Sequence, residues 1–204
     1  MKKEIRAFNF EVRADQNDEH GTFLEGRPIV YDSRTNLGWY DEIVAAGALD
    51  KADLTDVRFL VNHNTDMIPL ARSRNNNANS TMQMEVDGEG LKIRVDLDTE
   101  NNAEARSLYS AVKRGDISGM SFMFTVDGDK WEDVDSDHPT RTITDLSKVF
   151  EVSAVTFPAY SDTSINARGL SEALDSAKES LESAKAEARA IEQRKQTIRI
   201  LSMM

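Results

Sequence analysis

The stretch GMSFMFTV, residues 119–126, predicts a β-strand, because Phe122, Phe124 and Val126 alternate with smaller or more polar side chains. Alternation with a period of two is typical of a β-strand with one face on a core. Similar runs cover 5–12, 26–31, 81–86, 91–97 and 152–157. The turn-forming segments DGEG (87–90) and DGDK (127–130) predict hairpins between them. The sequence therefore predicts a mainly antiparallel, barrel-like β core.

Two segments interrupt the strand pattern and favour helices. The segment ENNAEARSLYSAVKRGD, 100–116, has apolar residues at helical spacing and a glycine, Gly115, near its end. A second, short helix is predicted over GALDKADL, 47–54. Together with the strands, these segments predict the α+β class, with a few helices around the β core.

The C-terminal part of the chain has a different composition. From Ser171 to Ile200 there is no glycine, proline or aromatic residue, and Ser171 is a good N-cap. Alternating spacings of four and three predict a long helix with a heptad seam. The seam consists of Leu170, Leu174, Ala177, Leu181, Ala184, Ala188, Ile191, Lys195 and Ile198. We expect a domain over 1–166 and a helical tail over 170–200, which either lies along its own domain or mediates self-association or scaffold docking.

Composition excludes several classes of function. The formal net charge is −11, which opposes binding to nucleic acid. There is no cysteine, so disulfides, thiolate metal sites and cysteine nucleophiles are excluded. No run approaches the roughly 18 apolar residues of a membrane-spanning helix, and Arg6, Asn9 and Glu11 interrupt the apolar run that a signal peptide needs. We expect a cytosolic-type protein without a membrane partner.

Only three histidines are available for acid–base chemistry. His20 and His138 lie in polar segments and are predicted to be at the surface. His63 follows the apolar run FLV, 59–61, with only Asn62 between them, so a buried strand is expected to hold it on one side. That placement suits a general base, although the residues alone favour a structural histidine. No HxxxH or HExxH pair is present, and no metal or cofactor is predicted.

A nucleophile for His63 must be a serine or threonine. Ser121 begins an apolar strand after the flexible Gly119, so it is expected to be held firmly and yet approachable. Ser118, three residues earlier, is the competing candidate. Residue chemistry alone leaves the choice between them open, and Ser121 also fits an ordinary serine at a strand edge.

Four motifs follow one another along the chain: EIVAAGAL (42–49), NHN (62–64), GDISGMSFMF (115–124) and LSKVFEVSAVTFPA (146–159). Their order resembles the prohead proteases of tailed bacteriophages, the serine peptidases of capsid maturation. The resemblance covers residues 26 to about 165. Leu49 replaces the family's usual Phe, and Asn64 replaces its usual Asp.

This resemblance implies a fold related to the herpesvirus assemblin protease, a β-barrel surrounded by helices. It also implies His63 as general base and Ser121 as nucleophile. Glu151, an acid in an otherwise apolar strand, matches the family's third position, and Asp145 is the alternative. Backbone N–H groups near Ser121 are the expected oxyanion donors, with Arg141 as a further electrostatic aid.

The function implied by the resemblance is that of a serine endopeptidase inside the procapsid, in the host cytoplasm. Its substrates are expected to be scaffolding protein or the scaffold segment of the major capsid protein, and the protease itself. A homo-oligomer is also expected. The alternative is a non-catalytic scaffold or capsid-assembly protein that oligomerises through its C-terminal helix. An esterase is disfavoured because GMSFM (119–123) lacks the GxSxG elbow.

Overall fold

The structure is a computed structural model that describes residues 3–8, 12–17, 21–156 and 167–201. Within these residues the chain forms eleven strands and two helices. The strands are β1 (Glu4–Phe8), β2 (Val12–Asn17), β3 (Gly21–Val30), β4 (Thr35–Asn36), β5 (Asp41–Val44), β6 (Asp56–Val61), β7 (Ala71–Arg74), β8 (Met82–Asp87), β9 (Gly90–Asp96), β10 (Gly119–Glu132) and β11 (Thr140–Val155). The helices are α1 (Ala103–Arg114) and α2 (Ala167–Leu201).

The larger sheet has seven strands and is organised around the long hairpin of β10 and β11. Its main order is β1-β10-β11-β5-β4, and β6 pairs with both β11 and β7. β10 is antiparallel to both β1 and β11. β5 and β6 run parallel to successive parts of β11, at Thr140–Ile143 and Glu151–Ala154. The strand β11 therefore pairs with segments that are far apart in the sequence.

The smaller sheet has four antiparallel strands in the order β2-β3-β9-β8. The predicted hairpin at DGEG is confirmed, because β8 ends at Asp87 and β9 begins at Gly90. Gly90 has φ +138°, and a Cβ there would lie 2.0 Å from the carbonyl oxygen of Ile29. Glycine is therefore required where this turn meets β3.

Both sheets contribute to one hydrophobic core. Phe122 and Phe124 of β10 are fully buried, and their ring centroids lie 4.7 Å apart. The alternation in 119–126 thus predicts correctly which side chains face the core. Burial of each such side chain contributes about 1.5–3 kcal/mol. Other buried members are Phe59, Val149 and Val152 from the larger sheet and Leu24, Ile29, Leu91 and Ile93 from the smaller one.

The α+β class is confirmed, whereas the expected closure into a barrel is not found among the described strands. Their pairings form two separate sheets. Alternation shows that a strand has one buried face, but it does not show whether the sheet closes on itself or packs on a second sheet. The turn predicted at DGDK is also wrong, because these residues lie within β10, where Gly128 opposes Asp145 beside shifts of register. Such bulges bend a strand without ending it.

The helix predicted within 100–116 is confirmed as α1. The Asn102 side chain accepts from the backbone N–H groups of Glu104 and Ala105, and Gly115 ends the helix in the left-handed region with φ +79°. The short helix predicted over 47–54 is wrong. The left-handed Gly47 lies in a series of turns there, and Asp53 forms backbone hydrogen bonds with β11 instead.

The C-terminal helix is confirmed, but α2 begins at Ala167, so Ser171 is not its N-cap. Ala177 and Leu181 are buried, and α2 contacts β1 and β10. Residues 186–199 are exposed. The early part of the seam therefore lies along its own domain and the later part does not. Neither described helix combines the length and apolar character that crossing a membrane requires.

Some predictions fall on residues outside the described ranges. Residues 9–11 of the strand predicted at 5–12 are among them, as is residue 157 of the strand predicted at 152–157. The domain boundary predicted near residue 166 lies between two described ranges.

Candidate active site

His63 lies in a tight turn that follows β6. Asn62 and His63 both adopt positive φ, +51° and +55°. This conformation costs a non-glycine residue roughly 1–2 kcal/mol. The Asn62 backbone N–H donates to the Ala154 carbonyl (2.9 Å), and its side chain exchanges two hydrogen bonds with Thr156. The end of β11 thus holds the turn in a conformation that His63 would not adopt alone.

The His63 imidazole contacts a carboxylate on one side and a hydroxyl on the other. Its Nδ1 donates to Glu151 Oε1 at 2.5 Å, and its Nε2 lies 2.5 Å from Ser121 Oγ. With the proton on Nδ1, Nε2 is a lone-pair acceptor facing the serine. The fold therefore brings together all three residues that the sequence indicates, although His63 is 88 residues from Glu151 and 58 from Ser121.

Strand register explains how these residues meet. Ser121 of β10 pairs directly with Ser153 of β11, so their side chains share one face of the sheet. Glu151 lies two residues before Ser153 and shares that face. The parallel strand β6 pairs with Glu151–Ala154 and ends beside them, which delivers His63 to the same place.

The Glu151 carboxylate is held at both oxygens. Its Oε1 accepts from His63, and its Oε2 accepts from the Ser153 hydroxyl at 2.6 Å. The Ser153 oxygen in turn accepts from the His63 backbone N–H at 3.1 Å. Ser153 is not among the residues that the sequence indicates. The sequence contains one signal for it: Ser153 lies two residues after the acid Glu151 within an apolar strand, so both side chains share one face.

The hydroxyl of Ser121 is enclosed. Ser121 is 0% exposed, and the side chains of His63 and Glu151 are 7% and 4% exposed. The Ser121 oxygen also lies 2.7 Å from the carbonyl oxygen of Arg6 in β1, the strand that pairs with β10 on its other side. A reacting carbonyl therefore needs movement of the enclosing segments before it contacts this oxygen.

The competing residues lie in other settings. Ser118 is exposed and precedes β10. Asp145 pairs with Gly128, and its carboxylate accepts from Thr144. His138 is at the surface, as predicted, and contacts Asp41. The structure thus brings Glu151, not Asp145, to His63.

Two other expectations from the sequence are a surface position for His20 and no metal site. His20 lies outside the described residues. Within the described residues, no three or more His, Cys, Asp and Glu side chains are grouped in a way that could hold a metal ion.

Arg141 belongs to a buried ion cluster, which we define as Glu4, Arg6, Glu42 and Arg141. All four are at most 2% exposed. The Arg6 guanidinium donates to Glu4 and Glu42, and the Arg141 guanidinium donates to the same two carboxylates. Arg141 is therefore engaged by acids, and the expectation that it aids the oxyanion is not supported.

The ion cluster controls the protonation of Glu4. Burial raises the pKa of this carboxyl, but the positive charge of Arg6 and the charge and hydrogen bond of Arg141 outweigh it, so that the pKa is below its ordinary value. The sequence offers one signal for the cluster: Glu4 and Arg6 alternate with Ile5 and Ala7, so the charged pair shares one face of a strand.

Known proteins similar to this chain include one solved structure and one protein family. The solved structure of the bacteriophage T4 capsid assembly protease, gp21, resembles this chain with a TM-score of 0.40 and 13% identity, over 76% of this chain and 99% of that one. No curated protein sequence matches this chain. The sequence profile of the caudovirus prohead serine proteases matches residues 8–178. Because that match spans most of the 204 residues, the chain belongs to the caudovirus prohead serine protease family.

Proposed function

We propose that this chain is a serine endopeptidase in which Ser121 is the nucleophile, His63 the general base and Glu151 the residue that orients the base. The observation that carries the proposal is the unbroken series of contacts from the Glu151 carboxylate through both ring nitrogens of His63 to Ser121 Oγ. Geometry and roles identify such a triad, not sequence positions.

The first half-reaction forms an acyl-enzyme. Ser121 Oγ attacks the carbonyl carbon of the scissile peptide while His63 Nε2 takes the hydroxyl proton. The carbon–nitrogen bond then breaks, and His63 gives the same proton to the leaving amine. Glu151 keeps the other ring proton on Nδ1 and stabilises the imidazolium while it is charged.

The second half-reaction regenerates the enzyme. A water molecule attacks the Ser121 ester while His63 Nε2 takes one of its protons. The ester bond breaks, His63 returns the proton to Ser121 Oγ, and the new carboxyl end of the substrate leaves. Backbone N–H groups near Ser121 are the donors we propose for the developing oxyanion.

The proposed substrates are scaffolding protein or the scaffold segment of the major capsid protein, together with the protease itself. The proposed setting is the interior of the procapsid in the host cytoplasm. The family description as a prohead protease supports this setting. The net charge of −11 also favours basic protein segments as partners over nucleic acid.

The test compares Ser121→Ala with Ser118→Ala in an assembly reaction that contains the capsid and scaffolding proteins. Ser118 is the matched control because it lies three residues away and is exposed. We expect Ser121→Ala to abolish cleavage and Ser118→Ala to leave it unchanged, as measured by mass spectrometry of the products. Cleavage at the normal rate by Ser121→Ala contradicts the proposed function.

A second candidate is a non-catalytic assembly protein, and the exposed residues 186–199 of α2 favour it. A fluorophosphonate probe applied under assembled conditions distinguishes the two. Labelling of Ser121 that disappears in His63→Ala supports the protease. An absence of labelling, together with uncut capsid and scaffolding proteins, supports the assembly protein.

A further inference from the structure

The Ser153 hydroxyl links the His63 backbone to the Glu151 carboxylate. Ser153 is 0% exposed and pairs across the hairpin with Ser121. Its oxygen accepts the His63 backbone N–H at 3.1 Å and donates its proton to Glu151 Oε2 at 2.6 Å. The direction of both bonds is determined, because a backbone N–H only donates and a carboxylate only accepts.

Each of these bonds supports a different part of the site. The bond to the backbone N–H holds His63 in its positive-φ conformation, which persists only when surrounding groups impose it. The bond to Oε2 holds the Glu151 carboxylate so that Oε1 faces Nδ1. Loss of the hydroxyl leaves the His63 backbone N–H and the buried Glu151 Oε2 without this partner.

We propose that Ser153 is a positioning residue of the peptidase, which sets both the ring orientation and the tautomer of His63 without touching the substrate. This inference rests on the proposed function. A displacement of about 1 Å in a catalytic group lowers the rate by on the order of 10²-fold. A loss of that size is therefore expected when the Ser153 hydroxyl is removed.

Ser73 of β7 provides a matched control. It is also 0% exposed and belongs to the same sheet. Its hydroxyl likewise accepts from the backbone N–H of a positive-φ residue, Asn76 (φ +51°), and donates to a side-chain oxygen of that residue. Ser73→Ala thus removes the same chemical group from an equivalent turn elsewhere in the chain.

The experiment measures cleavage in the assembly reaction, thermal unfolding, and the ¹⁵N chemical shifts of the His63 ring, for Ser153→Ala and Ser73→Ala. We expect similar losses of stability in both variants. Only Ser153→Ala is expected to lower cleavage by about 10²-fold. In the unsubstituted protein Nε2 is expected to be the unprotonated ring nitrogen, whereas Ser153→Ala is expected to give a mixture of both tautomers.

Unchanged cleavage and unchanged His63 shifts in folded Ser153→Ala overturn the inference. If Ser153→Ala does not fold, the same measurements on Ser153→Cys test the inference, because the thiol is a weaker donor in the same position. Intermediate cleavage with shifted His63 resonances then supports the inference, and normal values for both overturn it. Cleavage by Ser121→Ala contradicts the proposed function instead, so the two failures are distinguishable.

Discussion

The hydroxyl of Ser121 lies within hydrogen-bonding distance of two acceptors, the Arg6 carbonyl oxygen at 2.7 Å and His63 Nε2 at 2.5 Å. A hydroxyl has one proton, so it donates to only one of them at a time. When it donates to Arg6, the proton is unavailable to the base. The strand β1 thus both covers the nucleophile and competes for its proton.

The first prediction concerns access to Ser121. Because its hydroxyl is fully buried against β1, a fluorophosphonate probe should react only when the segments that enclose it open locally. We expect slow labelling in buffer and a rate that rises in urea concentrations too low to unfold the protein globally. The measurement is the labelling rate by mass spectrometry. Fast labelling that is independent of urea contradicts the closed arrangement.

The second prediction distinguishes the two candidates for the third triad residue. Glu151→Gln keeps the side-chain size but removes the charge that opposes the His63 imidazolium, and a comparable change lowers kcat by about 10⁴-fold in serine proteases. Asp145→Asn is the control, since Asp145 pairs with Gly128 and not with His63. We expect cleavage to be lost in Glu151→Gln and kept in Asp145→Asn. The reverse result would assign the third triad position to Asp145.

The third prediction concerns the pH dependence of stability. The folded-state pKa of Glu4 is below its ordinary value of 4.5, so its ionised form stabilises the fold above that pH. As the pH falls below about 4.5, the unfolded chain binds the proton first and this stabilisation decreases. Glu4→Gln should therefore reduce the free energy of unfolding by about 3 kcal/mol at pH 7, and by less in acid.

Urea unfolding at several pH values checks this prediction. Glu25→Gln is the control, because the Glu25 side chain is 45% exposed and lies 3.8 Å from Arg94. An exposed pair of this kind contributes about 0–1 kcal/mol. A difference between the wild-type protein and Glu4→Gln that stays constant from neutral pH to acid contradicts the assignment.

The fourth prediction separates the two parts of α2. Deletion of residues 188–204 removes only exposed positions among those that the structure describes, so we expect little change in the temperature of unfolding. Deletion of residues 174–204 also removes the buried Ala177 and Leu181 and the hydrogen bond from Trp131 Nε1 to Ser180. We expect the longer deletion to destabilise the domain by about 3 kcal/mol, as measured by thermal unfolding and tryptophan fluorescence.

Light scattering on the same deletions tests the predicted self-association. If the number of chains per particle falls when only 188–204 is removed, association depends on the exposed part of the seam. A mass that equals one chain in the full-length protein contradicts the homo-oligomer prediction. Equal destabilisation by both deletions contradicts the division of α2 into packed and exposed parts.

Local pattern was sufficient for much of the secondary structure. The period of two in 119–126 predicts a strand with Phe122 and Phe124 inward, and Gly115 predicts the end of α1. Both depend on interactions between residues close in sequence. The predictions fail where the secondary structure of a segment depends on a partner that is distant in the sequence. The segment 47–54 forms backbone hydrogen bonds with β11 instead of a helix. The residues DGDK, 127–130, continue β10 because β11 pairs with them.

For the candidate site, the sequence alone determined that a histidine follows a buried strand, that no thiol is available, and that an ordered set of motifs resembles prohead proteases. Only the tertiary structure decided that Ser121, His63 and Glu151 meet, because three strands from distant segments must pair in register to bring them together. The contacts of Ser153 depend on the same pairings, and the contact of the Arg6 carbonyl with Ser121 depends on the pairing of β1 with β10. Hydrogen-bond partners across a sheet are set by register, and register is a property of the folded chain.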